Sequence, residues 1–150
     1  MPKASWDARY SELAAFVANW GEDADRKVGC VIAGADNTLI AIGFNGLPRS
    51  VVSSVPSRFL REGGEKYKWI EHAERNAIFA ASRNGISLVG TTMFLTWFPC
   101  EGCARAIIQV GISRLVAYAP DENDPVWGDR FRVSKTMLTE ADIELVYSDR

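Results

Sequence analysis

The second half of the chain constrains the fold most. From Thr92 onward, short β-prone runs alternate with helix-like segments: "TMFLT", "PCEGCARAIIQVG", "RLVAY", a helical stretch from about Arg130 to Glu140, and "IELVY". Strand–helix–strand units in one sheet need crossovers, and crossovers of one hand make their strands parallel. Pro99 suits a helix entry, Gly111 suits its stop, and Ile107, Ile108 and Val110 supply apolar content between them. Upstream, "KVGCVIAG" and "TLIAIGFN" flank "ADN", where Asp36-Asn37 carries turn chemistry, so this pair reads as a hairpin. A helix begins near His72, runs through "AERNAIFAASR" and ends at Asn84-Gly85. Another spans Ser5 to Trp20, with Trp6, Tyr10, Leu13, Phe16 or Val17, and Trp20 expected on its inner face and Gly21 ending it. The prediction is a three-layer α/β/α sandwich on a mixed five-stranded sheet.

With 150 residues, 47% of them apolar and 24% charged, the chain fits one domain spanning residues 1–150. It shows no repeat, low-complexity tract or domain-sized linker. The segment from Gly46 to Lys66 is long for a loop in a compact domain, and such loops are often functional or partly helical. A formal charge of −2 argues against holding extended nucleic acid on a broad basic face. A small anion needs only one or two local cations. No apolar run approaches a membrane span, and "MPKASWDARY" lacks the apolar core of a secretion signal, so a cytoplasmic protein is expected.

Three cysteines cannot all pair, and Cys100 and Cys103 stand too close in sequence to brace a fold. Cys30, in apolar "KVGCVIAG", reads as a small buried residue. "CEGC" alone would serve zinc, an iron–sulfur cluster or thiol exchange. The only histidine, His72, opens one predicted helix and the cysteine pair opens another. Helix N-termini favour thiolates. If both helices lie against the sheet, their starts converge, and one imidazole with two thiolates leaves zinc's fourth position for water. Glu74 falls at the first turn, where it can reach over that position as a general acid and base; its plainer alternative is a solvated helix-start carboxylate.

"HAE" followed downstream by "PCEGC" resembles the signature of zinc-dependent nucleobase deaminases. The wider match is to deoxycytidylate deaminases. "VGCVIAGADNTLIAIGFNGLPRS" is similar to their first hairpin, "KYKWIEHAERNAI" and "TTMFLTWFPCEGCARAIIQVGISRLVAY" to their two helix-bearing blocks, and "DPVWGD" to the segment before their last helix. The resemblance runs from near Asp25 to Tyr147. It implies His72, Cys100 and Cys103 as zinc ligands and Glu74 as proton shuttle, with water adding at C4 of deoxycytidylate and ammonia leaving. It also implies that Asn45 touches the sugar, although a turn role before Gly46 is open to it, and that Ala73, Trp97, Phe98 and Pro99 line the base pocket.

The phosphate has several candidate partners: Arg26, Lys27, Arg49, Arg58, Arg61, Lys66 and Lys68, with Arg26 favoured and surface charge the alternative for each. Three cysteines and one histidine cannot furnish the second, structural zinc of some members, so one Zn2+ per chain is expected. Mg2+ would enter only with a nucleoside triphosphate effector, a regulation that Phe44 in "GFNG" leaves open. The family implies a homo-oligomer, a dimer or larger, to which Trp69, Trp97 and Trp127 would contribute if exposed. Competing readings are a deaminase of a cytosine nucleoside, a modified cytosine nucleotide, guanine or transfer-RNA adenosine, and a non-catalytic zinc-stabilised binding module.

Overall fold

The computed structural model describes residues 3–149; Met1, Pro2 and Arg150, parts of the amino-terminal stretch and of the domain span read above, lie outside it. Five strands form one mixed sheet, in which the second strand of the chain lies at one edge and the first, third, fourth and fifth follow in turn. The hairpin is β1 (Gly29–Ala33) and β2 (Leu39–Phe44), antiparallel, with Asn37 at φ 65° in its turn. β3 (Thr92–Leu95) pairs antiparallel to β1, then β4 (Arg114–Tyr118) and β5 (Glu144–Ser148) follow in parallel register. The alternation therefore produced the parallel half as expected.

Helix α1 (Trp6–Ala18) covers one face, packing Tyr10 and Ala14 on Val31, Phe94 and Val116. Helices α3 (Ala73–Arg83), α4 (Glu101–Gln109) and α5 (Gly128–Glu140) pack against the other, over Ile32, Met93 and Leu115. Two crossovers stepping the same way along the sheet put α4 and α5 on one side. The long connection after β2 holds two 3₁₀ turns, Pro56–Phe59 and Glu62–Gly64, and a single helical turn, α2 (Lys66–Trp69).

The buried face of α1 differs from expectation. Tyr10, Ala14, Val17 and Ala18 are buried, whereas Trp6, Phe16 and Trp20 are about half exposed. The cause is the close approach of α1 to β1: a Cβ on Gly29 would collide with the carbonyl of Ala14 and the amide of Ala18. Only small side chains fit that crossing, so the large rings move to the rim, where Trp20 meets Phe44 edge-on at 6.0 Å. Helix α5 starts two residues earlier than expected, after a turn in which Asp124 Oδ1 accepts from the amides of Val126 and Trp127, both at 2.8 Å. β5 is displaced by one residue from "IELVY".

A second close approach positions the site. A Cβ on Gly43 would collide with the Ala73 carbonyl and the Ala77 amide, so the glycine lets the first turn of α3 lie directly on β2. That seats α3 beside α4 with both N-termini at the carboxyl end of β3, the edge of an α/β sheet where ligands bind.

Candidate active site

His72 is the N-cap of α3 and Cys100 the N-cap of α4; both have extended backbones and neither side chain caps its helix. Their side chains are thus directed across the gap between the two helices. His72 Nδ1 lies 3.5 Å from Cys100 Sγ and 3.4 Å from Cys103 Sγ. The donor atoms of all three lie within 4.8 Å of one another, and among the described residues they form the metal-binding group. A tetrahedral zinc ion bonded at about 2.3 Å to sulfur and about 2.0 Å to nitrogen has N–S edges of about 3.5 Å, so these residues fit it.

The two thiols are shifted in opposite directions. A hydrogen bond from Cys103 draws the Cys100 thiol down to about 3, helped by His72, while the same bond and burial push Cys103 far up. Cys100 in turn raises the His72 imidazole. Such a set releases its proton when a dication binds. Glu74, only 4% exposed, is pushed up to about 7, first by burial, and hydrogen-bonds Cys103. The only histidine, the cysteine pair and this carboxyl are therefore gathered at one point.

His72, Glu74 and Cys100 line the floor of a cleft that opens to solvent. Ala73, Trp97, Phe98 and Asn45 line it, and Pro99 is buried behind the lining. Asn45 is 6% exposed, and its amide is largely engaged: Oδ1 accepts from the Val28 amide and Nδ2 donates to the Arg26 carbonyl, both at 2.8 Å. This clamps the segment that carries Arg26. The Arg26 guanidinium stacks 4.0 Å above Trp97 and pairs with Asp124 at 3.3 Å.

Of the seven candidate cations, Arg26, Arg61 and Lys66 line the cleft. Lys68 pairs with Glu65, and Arg58 covers Trp69 while donating to the Val52 carbonyl. Arg49 lies in a separate groove, and Lys27 is exposed. Trp69, Trp97 and Trp127 are partly buried, not exposed; Trp127 packs edge-on against His72 at 6.1 Å.

Several lining residues escaped the sequence reading. Asp23, Asp25, Tyr67, Ile70 and Phe131 also face the cleft. Lys66, 4% exposed, donates to Asp23 at 3.1 and 2.9 Å and to Asp25 at 2.9 Å. No local pattern announces a pairing across more than forty residues.

A three-layer sheet with a histidine, two cysteines and a buried carboxyl at converging helix starts defines a zinc-site hydrolase. Residues 4–119 match the model of the cytidine and deoxycytidylate deaminase zinc-binding region, and the chain belongs to that family of zinc-dependent hydrolytic deaminases. A deaminase of Aliivibrio fischeri encoded in the luxG 3′ region is 35% identical over 147 residues, spanning 96% of this chain and 94% of that protein. The deoxycytidylate deaminase of Homo sapiens is 32% identical over 122 residues, 79% of this chain and 67% of that protein. The dCMP deaminase of cyanophage S-TIM5, crystallised with dCMP and dUMP, has the same fold, with a TM-score of 0.80 at 21% identity over 99% of this chain and 100% of that one. Among the described residues, no helix is long and apolar enough to cross a membrane.

Proposed function

We propose that this deaminase hydrolyses deoxycytidylate to deoxyuridylate and ammonia, with His72, Cys100 and Cys103 holding one zinc ion per chain. The observation that carries the reading is the Nδ1 of His72 poised 3.4 and 3.5 Å from two thiols beside the buried carboxyl of Glu74, on the floor of an open cleft. The deoxycytidylate deaminase of Homo sapiens, at 32% identity, supports the choice of substrate.

When bound, zinc supplies a Lewis acid that makes water a nucleophile near neutral pH. Glu74 does the proton work. Its carboxyl takes a proton as water adds at C4, delivers it to N3, and then carries a proton to the departing amine. Burial of Glu74 keeps bulk water from competing for that proton. The fully buried backbone at Ala73 and the ring of Phe98 wall the base. Asn45, with one N–H and one lone pair still uncommitted, reaches the sugar hydroxyl. The phosphate then points toward the mouth, where the cations stand. The same reading carries a homo-oligomer in the cytoplasm, which light scattering of the purified protein checks for its assembly.

A substrate panel tests the proposal. Ammonia release should be fastest with dCMP among dCMP, deoxycytidine, a modified cytosine nucleotide, guanine and an adenosine-bearing transfer-RNA anticodon stem. Preference for any other member would replace the substrate, and release from none would refute catalysis and favour a zinc-stabilised binding module.

A further inference from the structure

Three cations line the cleft, and they differ in what they have left to offer. Lys66 has nothing: its three N–H donors meet three carboxylate contacts, on Asp23 at 3.1 and 2.9 Å and on Asp25 at 2.9 Å, in a position 4% exposed. It ties the loop after β2 to the segment before β1. Arg26 is built into the wall, its guanidinium stacked on Trp97 at 4.0 Å, within 5.8 Å of the Trp127 ring, and paired with Asp124 at 3.3 Å. Arg61 is exposed at the mouth, where it hydrogen-bonds Tyr67, and among the described residues it makes no ion pair. A guanidinium fork with open donors is the group best suited to a phosphomonoester dianion.

The surroundings of Arg61 also limit what it can take. Arg61 shares the cleft with Asp25; its hydrogen bond to Tyr67 first, and the charges of Asp25 and Asp124 after it, hold its proton more firmly. The side chain of Asp25 is 45% exposed, so it faces the same solvent as an incoming anion. Asp23 and Asp25 offset Lys66, and Asp124 offsets Arg26, which leaves Arg61 as the cleft-lining cation without a carboxylate partner among the described residues. One phosphate can be matched by the Arg61 fork. A second, extending outward, would meet the exposed carboxylate of Asp25 and not another cleft-lining cation.

We propose that Arg61, and not Arg26, grips the 5′-phosphate, and that Asp25 and Asp124 beside it restrict the anion there to a single phosphate. The inference rests on the deoxycytidylate reading and names the residues that set its specificity. Asp124→Asn removes that charge while an amide oxygen keeps accepting from the amides of Val126 and Trp127; because it also unpairs Arg26, it is read beside the double variant Arg26→Gln/Asp124→Asn. Asp25→Asn provides an independent second probe.

The test compares kcat/KM for dCMP, deoxycytidine and dCDP in the zinc-loaded full-length protein. Arg61→Gln should lower the dCMP-to-deoxycytidine ratio by about 10-fold or more, and Arg26→Gln should lower it less. Asp124→Asn and Asp25→Asn should each raise the dCDP-to-dCMP ratio by about 5-fold. An unchanged ratio in Arg61→Gln, or a fall confined to Arg26→Gln, overturns the phosphate assignment. Unchanged dCDP use in both aspartate variants overturns the single-phosphate limit. If the unaltered protein deaminates none of the three, the deoxycytidylate reading itself fails; deamination without these ratio changes sinks only the inference.

Discussion

The floor and the mouth of the cleft are built by different means. The floor hangs on regular elements: His72 and Glu74 at the start of α3, Cys100 and Cys103 at the start of α4, all fixed by helices seated on the sheet. The mouth hangs on irregular chain, pinned by indole contacts and by ion pairs between residues 41 to 98 positions apart. Packing sets atoms to within a few tenths of an ångström, as chemistry at C4 requires. Ion pairs at a surface adapt more readily, which suits a region that recognises a charge. Damage to the floor should therefore abolish turnover, whereas damage to the mouth should alter which substrate is turned over.

The largest expected effect separates chemistry from folding. Glu74→Gln should lower kcat for dCMP by about 10³-fold, within the usual range for a general acid–base group, without lowering the melting temperature or the zinc content. Retained turnover would detach Glu74 from the reaction. Gly43→Ala attacks the seat of α3: the added methyl meets the Ala73 carbonyl and the Ala77 amide, so a loss of about 3 kcal/mol in denaturant unfolding is expected, together with weaker zinc binding. A stable, fully metallated Gly43→Ala protein would show that α3 is held elsewhere.

At the mouth the effects are smaller. Lys66→Met strands the buried Asp23 carboxylate and should cost about 2 kcal/mol; it should raise KM for dCMP several-fold more than it lowers kcat. Equal changes in both constants would contradict a positioning role for Lys66.

The smallest effect lies far from the cleft. Arg114 donates to both carboxylate oxygens of Asp7, at 2.8 and 2.6 Å, and holds that carboxyl below its ordinary 3.8. A depressed folded-state value means the pair stabilises above pH 3.8 and loses its contribution as pH falls through the lowered value. Both side chains are partly exposed, so Asp7→Asn should cost about 0.5 kcal/mol at pH 7 and progressively less as pH falls below 3.8. A cost that grows in acid would reverse that sign.

The same division decides what the sequence disclosed. The parallel half of the sheet, the hairpin and the floor were legible, because alternation, caps and ligand spacing are local signals that regular elements convert directly into position. Cys103 follows Cys100 by one helical turn, and His72 opens the neighbouring helix; nothing more distant was needed. The inner face of α1 was misread because its contact is set by Gly29 on another element, and spacing alone cannot report how near a helix lies to its sheet. Asp23, Asp25 and Trp127 were missed as pocket residues for a similar reason. Their roles come from partners across irregular chain, which leave no periodic trace.

The central claim is that turnover belongs to the metal group and Glu74 on the floor. It is tested most directly by following ammonia release from dCMP while zinc is removed with a chelator and restored. Activity should vanish, return in proportion to zinc up to about one ion per chain, and stay absent in metallated Glu74→Gln. Full turnover in the zinc-free protein, or in Glu74→Gln, would contradict the account.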